Sequence, residues 1–252
     1  MITEYYRPTS LDEALELLDR ETPRTLPLGG GTSLTRPLPE SIAVVDLQAL
    51  GLNRVTQEGN FFAIGATVTL QQLVEEESLP QALRSAAHQE MSLNLRHVGT
   101  IAGTLVQASG RSTLTTALMA LDARVEWMPG EIETGIGDWL PLRKEGLPGK
   151  LMVSISIPAQ AKLSFQLVSR TPEDWPLVCA ALAVWPSGRT RVVLGGYGSA
   201  PLMVMDGAGA MGAEMAARSA YSQARDQWAS AEYRSEMAAV LVRRCRQDLE
   251  AK

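Results

Sequence analysis

A short strand-like run ending in three consecutive glycines constrains this chain more than any other feature. Leu26, Pro27 and Leu28 lead into Gly29, Gly30 and Gly31, and Thr32 and Ser33 follow. Three side chains are missing in a row, so either the backbone turns there or something large lies against it. The flanks show what the glycines belong to. "ITEYYRP" alternates as a strand does. In "TSLDEALELLDR", Ser10 and Glu13 have capping-box spacing, and Leu11, Ala14, Leu15 and Leu18 form one helical face. "RTLPL" is a short strand, and "SIAVVDL" is an apolar run of the kind that a parallel sheet buries. The start of the chain therefore reads β-α-β-loop-β, with the glycines at a strand exit.

The pattern changes after residue 52. "RVTQEGNFFAIGA" predicts a hairpin turning at Glu58-Gly59-Asn60. "TLQQLVEEESL" predicts a short helix with Leu70, Leu73 and Val74 on one side, and "PQALRSAAHQEM" a second helix. A small-residue loop, Gly99 to Thr104, precedes the compact apolar helix "TLTTALMALDA". "RVEW" and "LMVSISIP" are strands, and residues 128–150 between them read mostly as turn and loop. From residue 161, "KLSFQLVSR", "PLVCAALAVWPSG" and "RTRVVLGGYG" predict three antiparallel strands, with Ser187-Gly188 as a turn. The remainder reads as helix, and in the last helix Tyr233, Met237, Val240, Leu241 and Cys245 share a face. These changes divide the chain at 1–52, 53–160 and 161–252.

Composition narrows the function. The 252 residues carry a formal net charge of -5 with no strongly basic block, which argues against nucleic acid as a partner. No apolar run reaches the roughly 18 residues of a membrane span. The N-terminal stretch lacks the apolar core of a signal peptide, so a reduced, cytoplasmic location is expected. Two cysteines and two histidines, scattered in sequence, cannot build a metal or iron–sulfur ligand set.

Both small-residue loops offer backbone N–H groups, little side-chain bulk and nearby hydroxyls. A pyrophosphate accepts several short backbone hydrogen bonds only where no Cβ blocks its approach. Neither loop matches a P-loop or a dinucleotide fingerprint: no Gly-Lys-Ser/Thr follows, and the G-x-G-x-x-G spacing is absent. Taken alone, the first also fits a simple turn, and the second a bend packed against another backbone. Little positive charge is expected nearby, so peptide dipoles would carry most of the binding. His88 and His97, the only histidines, have no evident chemical role. Arg170, Asp174 and Trp175 fit a surface turn, and Trp127, Trp139, Trp185 and Trp228 fit packing or interface positions.

The ordered set "YYRPTSLDEALELL", "LPLGGGTSL", "VVDLQAL", "FFAIGATVTLQQL", "LRHVGTIAGTLVQAS", "LMALDARVEW", "LMVSISIP" and "SAEYRSEMAAVLVRR" resembles the medium, FAD-binding subunit of molybdenum hydroxylases over nearly the whole chain. That group includes the flavin subunits of carbon monoxide dehydrogenase and of bacterial xanthine dehydrogenases. The resemblance implies an α+β fold: two FAD-binding subdomains of the vanillyl-alcohol oxidase type, with a C-terminal domain of a three-stranded antiparallel sheet and a helical bundle. It implies that Leu28, Gly29, Gly30, Gly31, Thr32 and Ser33 cradle the FAD pyrophosphate. Thr100, Ile101, Ala102, Gly103 and Thr104 would approach it from the other side. Ser109, Ser112 and Thr113 would contact the adenosine half, and Leu151 and Met152 would pass near the flavin ring. No catalytic side chain and no metal ligand is implied in this chain.

The implied partners are a small subunit with [2Fe–2S] clusters and a large subunit with the molybdenum cofactor. This chain would relay electrons between the small subunit and NAD or another acceptor. Three positions depart from the family pattern: Ala102 stands where glycine is usual, Thr104 where asparagine is usual, and Thr113 where an aspartate commonly holds the ribose. The last change should weaken FAD by about one charged hydrogen bond, roughly 1.5–3 kcal/mol. An FAD-poor scaffold or assembly subunit of the same fold is the competing expectation.

Overall fold

The structure, a computed structural model, describes residues 1–34, 40–143 and 149–251. The fold is mixed α/β, and its strands form three sheets. The first contains β1 (Ile2–Tyr6), β2 (Thr25–Leu28) and β3 (Ile42–Asp46), all parallel in the order β1-β3-β2, with α1 (Leu11–Leu18) between the first two strands. β3 is buried along its whole length, as its unbroken apolar run requires. Ser10 caps α1 by accepting from the Glu13 amide. Ala14 and Val45 share a core with Leu151 and Val153, which belong to a strand of the next sheet.

The second sheet is antiparallel, in the order β4-β5-β8-β6-β7. Its strands are β4 (Val55–Glu58), β5 (Phe61–Gly65), β6 (Arg124–Met128), β7 (Ile132–Gly135) and β8 (Leu151–Pro158). Five helices follow β5: α2 (Leu70–Glu75), α3 (Gln81–Glu90), α4 (Leu93–Arg96), α5 (Ile101–Gln107) and α6 (Thr113–Ala120). A sixth, α7 (Ile136–Leu142), follows β7. Thr69 and Gln72 form a complete capping box at α2. Two expectations change here. The small residues from Ile101 onward are the first turns of α5 rather than loop. Much of 128–150 is strand and helix, although 144–148 lies outside the described residues.

The third sheet has four antiparallel strands, β12-β11-β10-β9, not three. They are β9 (Lys162–Val168), β10 (Val178–Val184), β11 (Arg189–Gly195) and β12 (Leu202–Ala208). β12 lies at the edge and leaves Leu202 and Met203 exposed, so its sequence lacks a clean in/out alternation. Two helices follow it: α8 (Ala213–Ala220), shorter than the stretch in the sequence suggests, and α9 (Ala231–Glu250), which spans its stretch with Ser230 as the cap. The buried face of α9 carries Arg234, Ala238, Leu241, Val242 and Cys245, whereas Tyr233 is exposed. One side of this sheet packs on α8 and α9, through Ala180, Leu182, Val192 and Leu194. The other side, with Ala181, Ala183 and Val193, shares a core with the second sheet and with α6, all eight residues of which are buried.

Two carboxylates lock the third sheet and its helices. Asp206 is drawn down to about 2, first by the hydrogen bond from Arg189 and then by Arg191. Burial raises Asp226, but the Trp228 amide, Arg234, the Ala229 amide and Arg111 outweigh it and hold that group at about 2 as well. A carboxylate whose pKa is depressed by folding stabilises the fold above its unfolded value and ceases to as pH falls through the folded value. Stability should therefore drop between pH 3.8 and about 2. Urea unfolding across that range checks this, and a flat profile would contradict it.

Candidate functional site

The site is built where the first sheet meets the second. β2 ends at Leu28, paired with Asp46 of β3. The chain then leaves the sheet through Gly29, Gly30 and Gly31. Among the described residues, the amides of Gly29, Gly30, Gly31, Thr32 and Ser33 have no hydrogen-bond partner. Asp46 is buried, caps the turn Leu47–Leu50 through the Gln48 amide at 2.9 Å, and accepts from the Tyr5 hydroxyl. Strand end and turn are thereby held in place, and Leu47 faces the cleft.

The opposite wall comes from the segment after α4. The buried Arg96 guanidinium pins this segment, donating to the carbonyls of His88 (2.9 Å) and Met91 (3.0 Å) and to the Gln71 side chain (3.2 Å). Thr100 then caps α5 by accepting from the Gly103 amide at 3.1 Å. Most of the amides here are already committed: Ile101 donates to Val68, Ala102 to Ala66 and Thr104 to Thr100. The second small-residue segment is therefore mainly a wall, and among the described residues it adds only the Thr100 amide to the free donors of the first.

Each of the three glycines answers a different constraint. A Cβ on Gly30 would lie 1.6 Å from the Val98 carbonyl oxygen, so here the two loops touch backbone to backbone. On Gly29 it would lie 2.8 Å from the Thr100 hydroxyl. Gly31 has room for a methyl, but its φ of +70° is left-handed and favours glycine.

Between these walls is a cavity of about 410 Å3. Gly29, Gly30, Gly31, Thr32, Ser33, Thr100, Ala102, Gly103 and Thr104 line it, as do Leu151 and Met152 from the start of β8. A second cavity of about 480 Å3 adjoins across Gly29, Gly30 and Thr100, and His97 borders it. Other residues expected at the site lie elsewhere. The Ile101 side chain is in the core. Ser109 accepts from the Arg111 amide and does not line the cavity. The hydroxyls of the buried Ser112 and Thr113 each donate to Glu90 at 3.0 Å, and Thr113 also donates to the Ala86 carbonyl at 2.7 Å. Burial raises the Glu90 pKa against these donors. Its carboxylate group at the end of α3 also accepts from the Leu114 amide at 2.8 Å and so caps the start of α6. The Thr104 hydroxyl donates to the Thr100 carbonyl at 2.9 Å. Ala102 sits in α5 and is not among the residues with positive φ, so its methyl is tolerated.

Folding also brings in residues that no local pattern marked. Trp127 and Trp139 line the cleft with ring centroids 5.3 Å apart, and the Trp127 indole donates to Thr134 at 2.8 Å. Three cations reach the cavity wall, contrary to the expectation of little positive charge: Arg24, Arg143 and Lys150. Arg24 pairs with Glu40 at 2.6 Å, and Lys150 donates to the Pro129 carbonyl. Arg143 donates to the carbonyls of Leu140, Ala108 and Ser199, tying the cleft to the loop after β11. At the surface turn, Arg170 pairs with the Asp174 carboxylate at 3.4 Å and lies over the Trp228 ring.

Residues 1–160 match the family described as the FAD binding domain in molybdopterin dehydrogenase. The chain belongs to this family, and its cofactor is FAD. It is 25% identical to the carbon monoxide dehydrogenase medium chain of Afipia carboxidovorans, over 96% of this chain and 94% of that one. It is 29% identical to the uncharacterized protein YgfM of Escherichia coli, over 82% of this chain and 79% of that one. Among solved structures, the reconstituted CO dehydrogenase from Oligotropha carboxidovorans superposes with a TM-score of 0.84 at 25% identity, covering 98% of this chain and 97% of that chain. Among the described residues, no helix is long and apolar enough to cross a membrane, and no group of three or more His, Cys, Asp or Glu side chains could hold a metal ion.

Proposed function

We propose that this chain is the electron-relay subunit of a molybdenum-hydroxylase-type complex. It would accept electrons from a [2Fe–2S] small subunit and pass them to NAD or another acceptor, while a large subunit with the molybdenum cofactor oxidises the substrate. In this reading the first two sheets are the two halves of an FAD-binding fold of the vanillyl-alcohol oxidase type, and the division at 1–52, 53–160 and 161–252 follows the sheets. The observation that carries it is the row of five amides from Gly29 to Ser33 that have no partner among the described residues, along an apolar, tryptophan-walled cleft.

Those amides suit a diphosphate, since each can donate without displacing an internal partner. Thr100, Ala102, Gly103 and Thr104 close the other side with small side chains, which sets the width of the slot. Leu151, Met152, Trp127 and Trp139 give an apolar wall that suits a flat ring and excludes water from it. Bound FAD supplies the exchange between one-electron and two-electron transfer. The protein's own task is to position it.

The reading is tested by adding FAD to the purified chain, removing the excess and recording the flavin absorbance. Gly31→Ala sharpens the test. Its methyl has space but its φ is unfavourable by about 1–2 kcal/mol, so the free loop should relax to another φ and FAD, which needs this one, should bind about tenfold more weakly with the fold intact. A second reading, an FAD-poor scaffold subunit, rests on Ser112 and Thr113, whose hydroxyls point to Glu90 instead of a ligand. A folded but colourless wild-type protein would favour it.

A further inference from the structure

A separate cavity of about 460 Å3 lies at the far end of the third sheet, on the face covered by α9. Its size falls within the roughly 300–1,000 Å3 of small-molecule sites. The last turn of α9 overhangs it with Arg246, Leu249 and Glu250. The floor is apolar, from Leu182, Val184 and Trp185, and the Trp185 ring is fixed by Arg189, 4.8 Å from its centroid.

Two cationic groups at the rim are incompletely matched. Arg246 Nε is buried and has no hydrogen-bond partner, although Arg246 Nη2 reaches Glu214 at 3.1 Å and Nε lies 3.8 Å from Glu250. Lys162, which pairs with Val184 across β9 and β10, makes no ion pair among the described residues. A buried donor left unpaired is costly, and a ligand acceptor removes that cost. Glu250 in the same wall disfavours a dianion.

We propose that this cavity binds a small monocarboxylate with a flat apolar body. Its carboxylate would bridge Lys162 and Arg246 Nε, and its body would rest on Leu182, Val184 and Trp185. The site is independent of the flavin cleft.

Benzoate titrated into the full chain, followed by saturation-transfer NMR on the ligand protons, tests this. Saturable binding is expected. Lys162→Gln, Arg246→Gln and the neutral analogue benzamide should each weaken it about tenfold, as loss of a charge-assisted hydrogen bond implies. Ala210→Trp should fill the cavity and abolish the signal. Lys162 is exposed, so its substitution keeps the test valid should the tryptophan variant not fold. Non-saturable binding, benzamide binding as well as benzoate, full binding by a folded Ala210→Trp variant, no effect of Lys162→Gln, or displacement by FAD would each overturn the proposal.

Discussion

Gly30→Ala should strip FAD from the protein. The new Cβ would sit 1.6 Å from the Val98 carbonyl oxygen and 2.5 Å from its carbon. Both are backbone atoms, so no rotamer change relieves the clash. Val98 cannot simply retreat, because Gly99 donates to the Leu95 carbonyl at 2.7 Å and accepts from the Leu70 amide at 2.9 Å. The buried Arg96 anchors the same segment. The two walls of the cleft must separate instead. Overpacking of this kind costs about 1–3 kcal/mol, and the upper figure corresponds to about 100-fold in affinity if it falls on the bound state. Gly207→Ala, in β12 and outside the cleft, is the control, since nothing lies within 4 Å of its Cβ. The check is flavin absorbance after removal of excess FAD, together with a melting temperature. If Gly30→Ala held as much flavin as the parent, the backbone contact would not be what sets the slot.

Arg234→Met should produce the largest loss of stability. The Arg234 side chain is fully buried. It donates to the carbonyls of Leu177 (3.1 Å), Ala224 (3.1 Å) and Ala229 (3.2 Å), and to both Asp226 oxygens at 2.9 Å. It also lies 5.0 Å from the Tyr197 ring centroid. Methionine fills much of the volume but leaves those carbonyls without a donor. Removing one partner of a buried pair costs about 3–5 kcal/mol. In a chain of this size that is a fall in Tm of about 10 °C. The remaining Asp226 partners, Arg111 and the Trp228 and Ala229 amides, put the cost toward the lower end. Arg234→Lys should recover only part, because a point charge cannot serve acceptors spread around a planar fork. Urea denaturation would measure it, and a loss below about 1 kcal/mol would mean that the network does not hold α9 to the sheet.

The family and the order of elements were legible because they are written locally. The run into Gly29, the capping residues of α1 and the alternation of β4 and β5 each depend on neighbours within a few positions. The elements that were missed have weak local signals. The first turn of α5, Ile101 to Thr104, includes Gly103 and Thr104, which are poor helix formers. β12 is an edge strand with an irregular register between Met203 and Met205 and little burial on either face. The resemblance implies a ligand contact at Thr113 from its position in the motif alone. Only the packing of α3 against α6 reveals Glu90 beside it.

Local pattern is enough to establish that a strand exits through glycines and that a second small-residue segment follows, and to point to an FAD-binding family. The tertiary structure decided which backbone groups remain free. It committed the amides of Ile101, Ala102 and Thr104 to the chain's own carbonyls and, among the described residues, left those of Gly29 to Ser33 without a partner. It also brought Trp127, Trp139, Arg143 and Lys150 to the cleft from positions roughly a hundred residues away from the glycines. The reason is physical. Propensity and periodicity act along one element, whereas a hydrogen-bond donor is free or satisfied according to what distant elements place opposite it.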